Sequence, residues 1–389
     1  MTILIRLRDA VKDILRKADM VLLALCLVAT AYGILLIATA TAYRGEAFQL
    51  RRVIIQTAGT VLGIGAYFIF SSIDVEHFAE KWPIFLIFNL GFIALLLKFG
   101  VGGETTGNQA WLDLPGFPVM IQPAEVVKLT YTVLLAKQIA WFRDNKKMRG
   151  LSSLIFPAAH AGFMFLWIYV ISDDAGSALV YLMIYAGMAL AAGLAWYWFA
   201  LGIGGLGAGV GLLAIFQKLP QYWVDRFHVI LDHSYSPNKV GYQQIRGMLA
   251  LGSGGLFGQG LFQGIQTQSS DSLPYRYTDF IFCVCGEELG MIGCVAVILL
   301  EFAVVYRCFQ TARVARSSMD ALICVGFASM LIFQTIENIG MCLFVMPVIG
   351  LTLPFFSYGG SSILTLFAAM GVVSGVRSRT LPDWLRKTS

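Results

Sequence analysis

The chain has 389 residues, of which 58% are hydrophobic and only 13% charged, and its net charge is +5. Soluble domains are about half apolar and about a quarter charged, so this balance excludes an ordinary soluble enzyme and a disordered chain alike. With a mean hydropathy of +0.73, the chain reads as an all-α polytopic membrane protein, and its basic excess belongs to cytoplasmic loops, with no call for nucleic acid.

Residues 1–17 carry Arg6, Arg8, Lys12, Arg16 and Lys17. They read as a cytoplasmic amphipathic N-terminal segment lying on the membrane surface, and no cleavable signal peptide is evident. A spanning helix needs about 20 mostly apolar residues. Ten stretches qualify: 19–42, 53–72, 82–99, 122–142, 152–171, 176–193, 195–216, 278–306, 320–345 and 354–376. Gly193 and Trp196–Trp198 predict a tight turn between the sixth and seventh. Helices 1–7 thus fill residues 18–216 and helices 8–10 fill 278–376, with a large extracellular loop, 217–277, between helices 7 and 8 and a cytoplasmic tail at 377–389. Ten spans with both termini cytoplasmic put four basic clusters inside: the N-terminal segment, Arg143–Arg149, Arg307–Arg316 and Arg377–Lys387. The seven cysteines all fall in or beside apolar runs, which argues against a disulfide framework, and Cys283–Cys285 reads as a pair of small hydrophobes.

Ionisable residues inside spans are costly and by default mark a site. Glu125 and Lys128 open the fourth span three residues apart, so they share a helix face; they serve either as a self-neutralising pair or as a polar cavity wall. Asp279, at the start of the eighth span, reads as a helix cap or a site carboxylate. Glu287 lies about 12 Å deeper and about 80° around a helix, on nearly the same side. Asp174, between the fifth and sixth spans, is a helix cap or a site residue. Gln334, Glu337 and Asn338 line one stretch of the ninth span, and Ser357-Tyr-Gly-Gly-Ser-Ser362 follows a run broken by Pro347, Gly350 and Pro354. That segment allows close helix packing or presents N–H groups to an anion. Glu125, Asp174, Asp279 and Ser357 all fall at outer ends of spans, which predicts one polar cavity open to the outer leaflet. Arg226 adds a cation from the long loop. Arg51 and Arg52 break the charge bias, either to hold a phosphate or to snorkel to headgroups. The pattern alone names no metal site.

The ordered runs Gly107–Trp111, Gln122–Lys128, Asp174–Val180, Gly241–Gln244, Gly252–Gly260, Thr278–Phe282, Gly286–Gly290, Glu337–Met341 and Leu353–Ser362 resemble the SEDS family, which comprises RodA, FtsW and sporulation members. The Glu337–Met341 run looks more like the RodA branch. Three positions depart from the family's usual residues: Ala110, Ala124 and Tyr277. The resemblance implies a ten-helix bundle similar to C-type glycosyltransferases. It implies a peptidoglycan glycosyltransferase in the bacterial cytoplasmic membrane that polymerises lipid II, releases undecaprenyl diphosphate and pairs with a class B penicillin-binding protein. On this reading the chain serves cell elongation and shape, with the division or sporulation role, or a flippase for lipid-linked precursors, as alternatives. Asp279 falls on the family's essential Asp and is expected to be the catalytic base. Lys128 and Arg226 are expected to stabilise the leaving diphosphate. Glu125 and Glu287 would orient Lys128 and the base, or hold a divalent cation, Mg or Mn. Trp111 would stack on a sugar or isoprenyl unit or anchor at the interface, and Asp174 and Ser357 would line the substrate cavity.

Overall fold

The computed structural model describes residues 17–102, 108–113, 120–145, 151–202, 204–205, 221–233, 235, 241–270 and 272–380. The chain is a bundle of long apolar helices. In order these are α1 (Met20–Thr41), α2 (Glu46–Ser72), α3 (Val75–Glu80), α4 (Trp82–Ala94), α5 (Leu96–Phe99), α6 (Pro123–Asp144), α7 (Leu151–Ser172), α8 (Ala175–Ala191), α9 (Gln221–Leu231), α10 (Tyr242–Gly254), α11 (Ile265–Gln268), α12 (Ile281–Arg313), α13 (Ser318–Cys342) and α14 (Gly360–Thr380). A two-stranded antiparallel hairpin, β1 (Gly100–Val101) with β2 (Trp111–Leu112), pairs Val101 with Trp111.

Among the described residues, seven helical segments are long and apolar enough to cross a membrane: Met20–Arg44, Glu46–Ser72, Trp82–Phe99, Ser152–Ser172, Ile281–Arg313, Ser318–Cys342 and Gly360–Thr380. The expected spans at 122–142 and 176–193 are present as α6 and α8. α6 is long enough but carries Glu125, Lys128, Lys137, Arg143 and Asp144, and α8 has only 17 residues. The expected break after α8 is present: Gly193 turns the chain at φ +91°, and helix resumes at 196. Most of the seventh expected span, the N-terminal surface segment up to residue 16 and the tail beyond 380 lie outside the described residues. All seven cysteines are free and buried.

Small residues set the closest approaches, as expected where lipid supplies no hydrophobic drive between helices. Gly371 and Gly375 of α14 press on the backbone of α2 at Tyr67 and Ser71, with no room for a Cβ. Gly33 of α1 does the same against Phe355 and Phe356. The segment between α13 and α14 is thereby held inside the bundle, wedged between α1 and α8, where Gly176 meets the Ile349 carbonyl.

The eighth span differs from expectation at its start. α12 begins at Ile281 with Phe280 as N-cap and no capping side chain. Asp279 is therefore no cap, and helical rotation between Asp279 and Glu287 does not apply. α12 also breaks at Gly290 (φ 69°, ψ −165°). That break frees backbone groups, and the glycine-rich run after α10 takes them up. Gln259 and Gly260 N–H donate to the Glu287 and Glu288 carbonyls at 2.9 and 3.0 Å, while Met291 N–H donates to the Gly255 carbonyl at 2.9 Å. Gly254 and Gly258 leave no space for a Cβ at this junction. Gly254, Gly255, Gly258 and Gly260 thus serve to dock this run onto the break in α12.

Candidate active site

The segment that carries Asp279 is fixed from its backbone. The Thr278 carbonyl accepts from Ser357 Oγ at 2.5 Å, the Asp279 carbonyl from Asn338 Nδ2 at 2.8 Å, and the Tyr277 carbonyl from Tyr358 N–H at 2.9 Å. Asn338 Nδ2 also holds the Leu351 carbonyl at 2.7 Å. Three neighbouring carbonyls are therefore pinned by α13 and by the segment before α14. The Asp279 side chain is left half-buried beside Gly350, whose missing Cβ would lie 3.8 Å from Oδ2.

A second wall comes from α6 and α8. Glu125 and Lys128 pair at 2.6 Å, at 7% and 3% side-chain exposure, as their three-residue spacing predicts. Asp174 caps α8 by accepting from Ser177 N–H at 2.9 Å and Ser177 Oγ at 2.7 Å. It also accepts from Gln122 Nε2 at 3.1 Å. Asp174 is thus a helix cap that also ties α8 to Gln122 before α6. Tyr181 OH donates to the Ala124 carbonyl at 2.6 Å and ties α8 to α6.

The two walls act on each other. Desolvation in the cleft pushes the Asp279 carboxyl up to about 6; Thr278 lowers it, the Asp174 carboxylate adds to the rise and Arg226 of α9 opposes it. Desolvation also raises Asp174, against the hydrogen bonds from Ser177. Glu337 of α13 lies within electrostatic reach of both Asp279 and Arg226. It is 3% exposed; the Ile349 backbone lies at its carboxylate, and no side chain among the described residues hydrogen-bonds it. Asp279, Asp174, Arg226, Glu337 and the Glu125–Lys128 pair thus form one electrostatic neighbourhood, in which Asp279 feels Asp174 and Arg226, Glu337 feels Asp279 and Arg226, and Asp174 feels Glu125 and Lys128.

Three expected site residues do other work. The Glu287 carboxylate accepts from Gln266 N–H at 2.6 Å, Thr267 N–H at 2.8 Å and Thr267 Oγ1 at 2.6 Å. It shapes the loop over α11 and does not orient Lys128; contacts some 20 residues apart in sequence outweigh its nominal position on the helix. Glu288 adds to the same anchor through Phe262 N–H and Gln268, and Arg276 gathers the carbonyls of Leu273, Ser269 and Ser270. Ser357 spends its hydroxyl internally, donating to Thr278 and accepting from Leu353 N–H at 2.9 Å, so it positions the Asp279 segment. Trp111 is held half-buried in the hairpin, and none of the polar contacts described for the cleft involves it. Sequence reasoning singled out Glu337 without giving it a place. Its signal was a carboxylate near the end of an apolar span, ten residues before a proline.

Among the described residues no three His, Cys, Asp or Glu gather as a closed metal cage. A hard divalent ion such as Mg²⁺ binds through one or two carboxylates plus substrate phosphates. Glu337, buried within electrostatic reach of Asp279, fits the carboxylate share of that donor set.

The comparisons with known proteins agree with this architecture. The family model FTSW_RODA_SPOVE, described as cell cycle protein, matches residues 19–380. A probable peptidoglycan glycosyltransferase FtsW of Geobacter sp. (strain M18) is 30% identical over 93% of this chain and 97% of its own length. Stage V sporulation protein E of Bacillus subtilis (strain 168) is 33% identical over 81% of this chain and 84% of its own. Among solved structures, a chain from a work on coordination of polymerization and crosslinking by a peptidoglycan synthase complex matches with TM-score 0.75 and 27% identity, covering 94% of this chain and 99% of that one. The rod shape determining protein RodA of Thermus thermophilus matches with TM-score 0.66 and 26% identity over 94% and 98%. The chain is thus a multi-pass membrane protein and belongs to the FtsW/RodA/SpoVE family of cell cycle proteins.

Proposed function

We propose that the chain, as a peptidoglycan glycosyltransferase, joins lipid-linked disaccharide peptides (lipid II) into glycan strands at the outer face of the cytoplasmic membrane. The observation that carries this reading is the electrostatic neighbourhood that joins Asp279, Asp174, Glu337, Arg226 and the Glu125–Lys128 pair. In the reaction, an acceptor sugar hydroxyl attacks the donor's anomeric carbon. The new glycosidic C–O bond forms, the C–O bond to the diphosphate breaks, and its electron pair leaves with undecaprenyl diphosphate. The hydroxyl proton goes to the Asp279 carboxylate, help of a kind typically worth about 10²- to 10⁴-fold. An affinity for protons near pH 6 leaves Asp279 mostly ionised at neutral pH yet basic enough to accept. Lys128, held by Glu125, shapes the polar wall with Gln122 and Asp174. Glu337, together with the diphosphate oxygens, would hold a divalent cation, Mg or Mn, which would supply charge neutralisation for a leaving diphosphate.

The branch is division or sporulation. The elongation role expected from the Glu337–Met341 run gives way here, because the relatives that support a branch are named FtsW and stage V sporulation protein E; the likeness to RodA supports the shared fold. The partner on this reading is a class B penicillin-binding protein, in line with the peptidoglycan synthase complex among the structural neighbours. The test is gel analysis of products from lipid II with the purified chain and partner, with and without EDTA. Long glycan from the wild type and none from Asp279→Asn is expected. Polymer from Asp279→Asn at the wild-type rate would remove the base, and lipid II crossing the bilayer without polymer would indicate a flippase.

A further inference from the structure

Glu301 of α12 takes no part in the reaction proposed above, yet it is a carboxylate deep in the bundle. It is 2% exposed. By helical rise it lies about 9 Å from Arg307 and about 18 Å from the helix end at Arg313. Arg307 marks the cytoplasmic level, where it grips Asp19 at 2.8 Å, so Glu301 falls within a hydrocarbon zone about 30 Å thick. Among the described residues no Lys, Arg or His pairs with it. The Thr335 hydroxyl of α13 lies at its carboxylate. Beyond that contact, neither Oε1 nor Oε2 has a hydrogen-bond partner among the described residues. An ionised carboxylate without a counter-charge is costly inside a bilayer, and buried polar atoms are as a rule satisfied.

A third helix supplies more oxygen at this level. Two contacts fix the register of α1 against α12: Arg307 on Asp19 near the cytoplasmic end, and Tyr32 OH with Cys285 Sγ at 3.2 Å toward the other. Between them, Glu301 acts electrostatically on Cys26. Thr30 follows one turn on from Cys26, on the same buried face of α1. It is 1% exposed, and its Oγ1 has no hydrogen-bond partner among the described residues. Oxygens from α1, α12 and α13 thus share one level with a single negative charge. A proton on the carboxyl would satisfy one of them. A monovalent metal ion would take several oxygens as ligands and cancel the charge, whereas a divalent ion would leave a net positive charge in hydrocarbon. We propose that Glu301, with the hydroxyls of Thr335 and Thr30, binds one sodium ion in the interior of the membrane. The ion ties α1 and α12 to α13, the helix whose Asn338, one turn beyond Thr335, holds the Asp279 carbonyl at 2.8 Å.

The test uses the full chain in phosphatidylcholine nanodiscs, with choline chloride replaced stepwise by sodium chloride at constant ionic strength. The wild type is expected to retain radioactive sodium saturably, at one ion per chain. Its Tm should rise over the same sodium range, because a ligand that binds only the folded state stabilises it. Glu301→Gln, neutral and nearly the same shape, should abolish both responses. Thr335→Val, which removes one oxygen and keeps the carboxylate, should weaken sodium about tenfold, and it keeps the test valid if the glutamine variant misfolds. Infrared difference spectra on adding sodium should show carboxylate gained at the expense of carboxylic acid in the wild type and not in Glu301→Gln. No retained sodium in the wild type, or the same sodium response in folded Glu301→Gln, overturns the site. A carboxylic acid signal that sodium leaves untouched overturns it as well and assigns Glu301 as a protonated structural group. None of these readouts depends on polymerisation of lipid II, so the site and the proposed reaction stand or fall separately.

Discussion

The two ends of the bundle treat charge in opposite ways. At the end that carries the basic clusters, Asp19 is 2% exposed at its side chain and fully engaged. Arg307 grips it with Nε at 2.8 Å and Nη2 at 2.9 Å, Arg377 approaches at 3.5 Å, and the same carboxylate caps α1 through Leu22 N–H. Asp19 N–H donates to Ser374 Oγ at 2.8 Å, and Tyr67 OH donates to the Asp19 carbonyl at 2.6 Å. This knot ties α1, α2, α12 and α14. At the other end, no side chain among the described residues hydrogen-bonds the Glu337 carboxylate, Asp279 ionises against desolvation, and Arg52 stacks against Phe48, Tyr277 and Tyr358. Satisfied charge holds helices together, whereas unbalanced charge next to a cleft is available for chemistry.

Substitutions should separate the two ends. The largest structural effect is expected at Asp19. Asp19→Ala leaves Arg307 without its partner in a partly buried site, a loss on the order of 3 kcal/mol, read as a lower Tm of the purified protein. Activity per folded molecule should stay near wild type; a selective loss of activity at unchanged Tm would break the contrast. Glu287→Gln should act locally. Losing charged acceptors costs about 2 kcal/mol, and amide exchange at 262–268 should speed roughly 30-fold while the helices stay protected. Equal protection in both proteins would return Glu287 to the pool of candidate site residues.

The pH response comes next in size. A base with its carboxyl raised to about 6 is ionised above that value, so polymerisation should fall toward tenfold per unit as pH drops below about 6. The linkage to stability runs the other way. A raised carboxyl favours the folded state when protonated, and that contribution is lost as pH rises from the unfolded value near 3.9 through about 6. Asp279→Asn should therefore not lower Tm at neutral pH. A rate flat from pH 5 to 7 would detach Asp279 from proton transfer.

Much of this was legible in the sequence, for identifiable reasons. Runs of about 20 apolar residues leave few options in a bilayer, and they located the helices, including α6 despite its charges. Local spacing exposed the Glu125–Lys128 pair and the Asp174 cap, since both depend on residues three apart. What stayed hidden depends on contacts between distant residues. Asp19 before an apolar run signals a cap, but its partner lies 288 residues away. Glu287 looked like a site carboxylate until the loop over α11 claimed it. Tyr277, one of the three departures noted in the sequence, gains a structural place only once Arg52 and Tyr358 stand beside it.

The most direct measurement compares Asp279→Asn and Asp19→Asn side by side, scoring glycan polymerisation per folded molecule and Tm on the same nanodisc preparations. Asp279→Asn is expected to lose at least about 10²-fold in rate at an unchanged or higher Tm, and Asp19→Asn to lose Tm while keeping its rate. A reversed pattern, or parallel losses in both variants, would contradict the division of labour between the two ends.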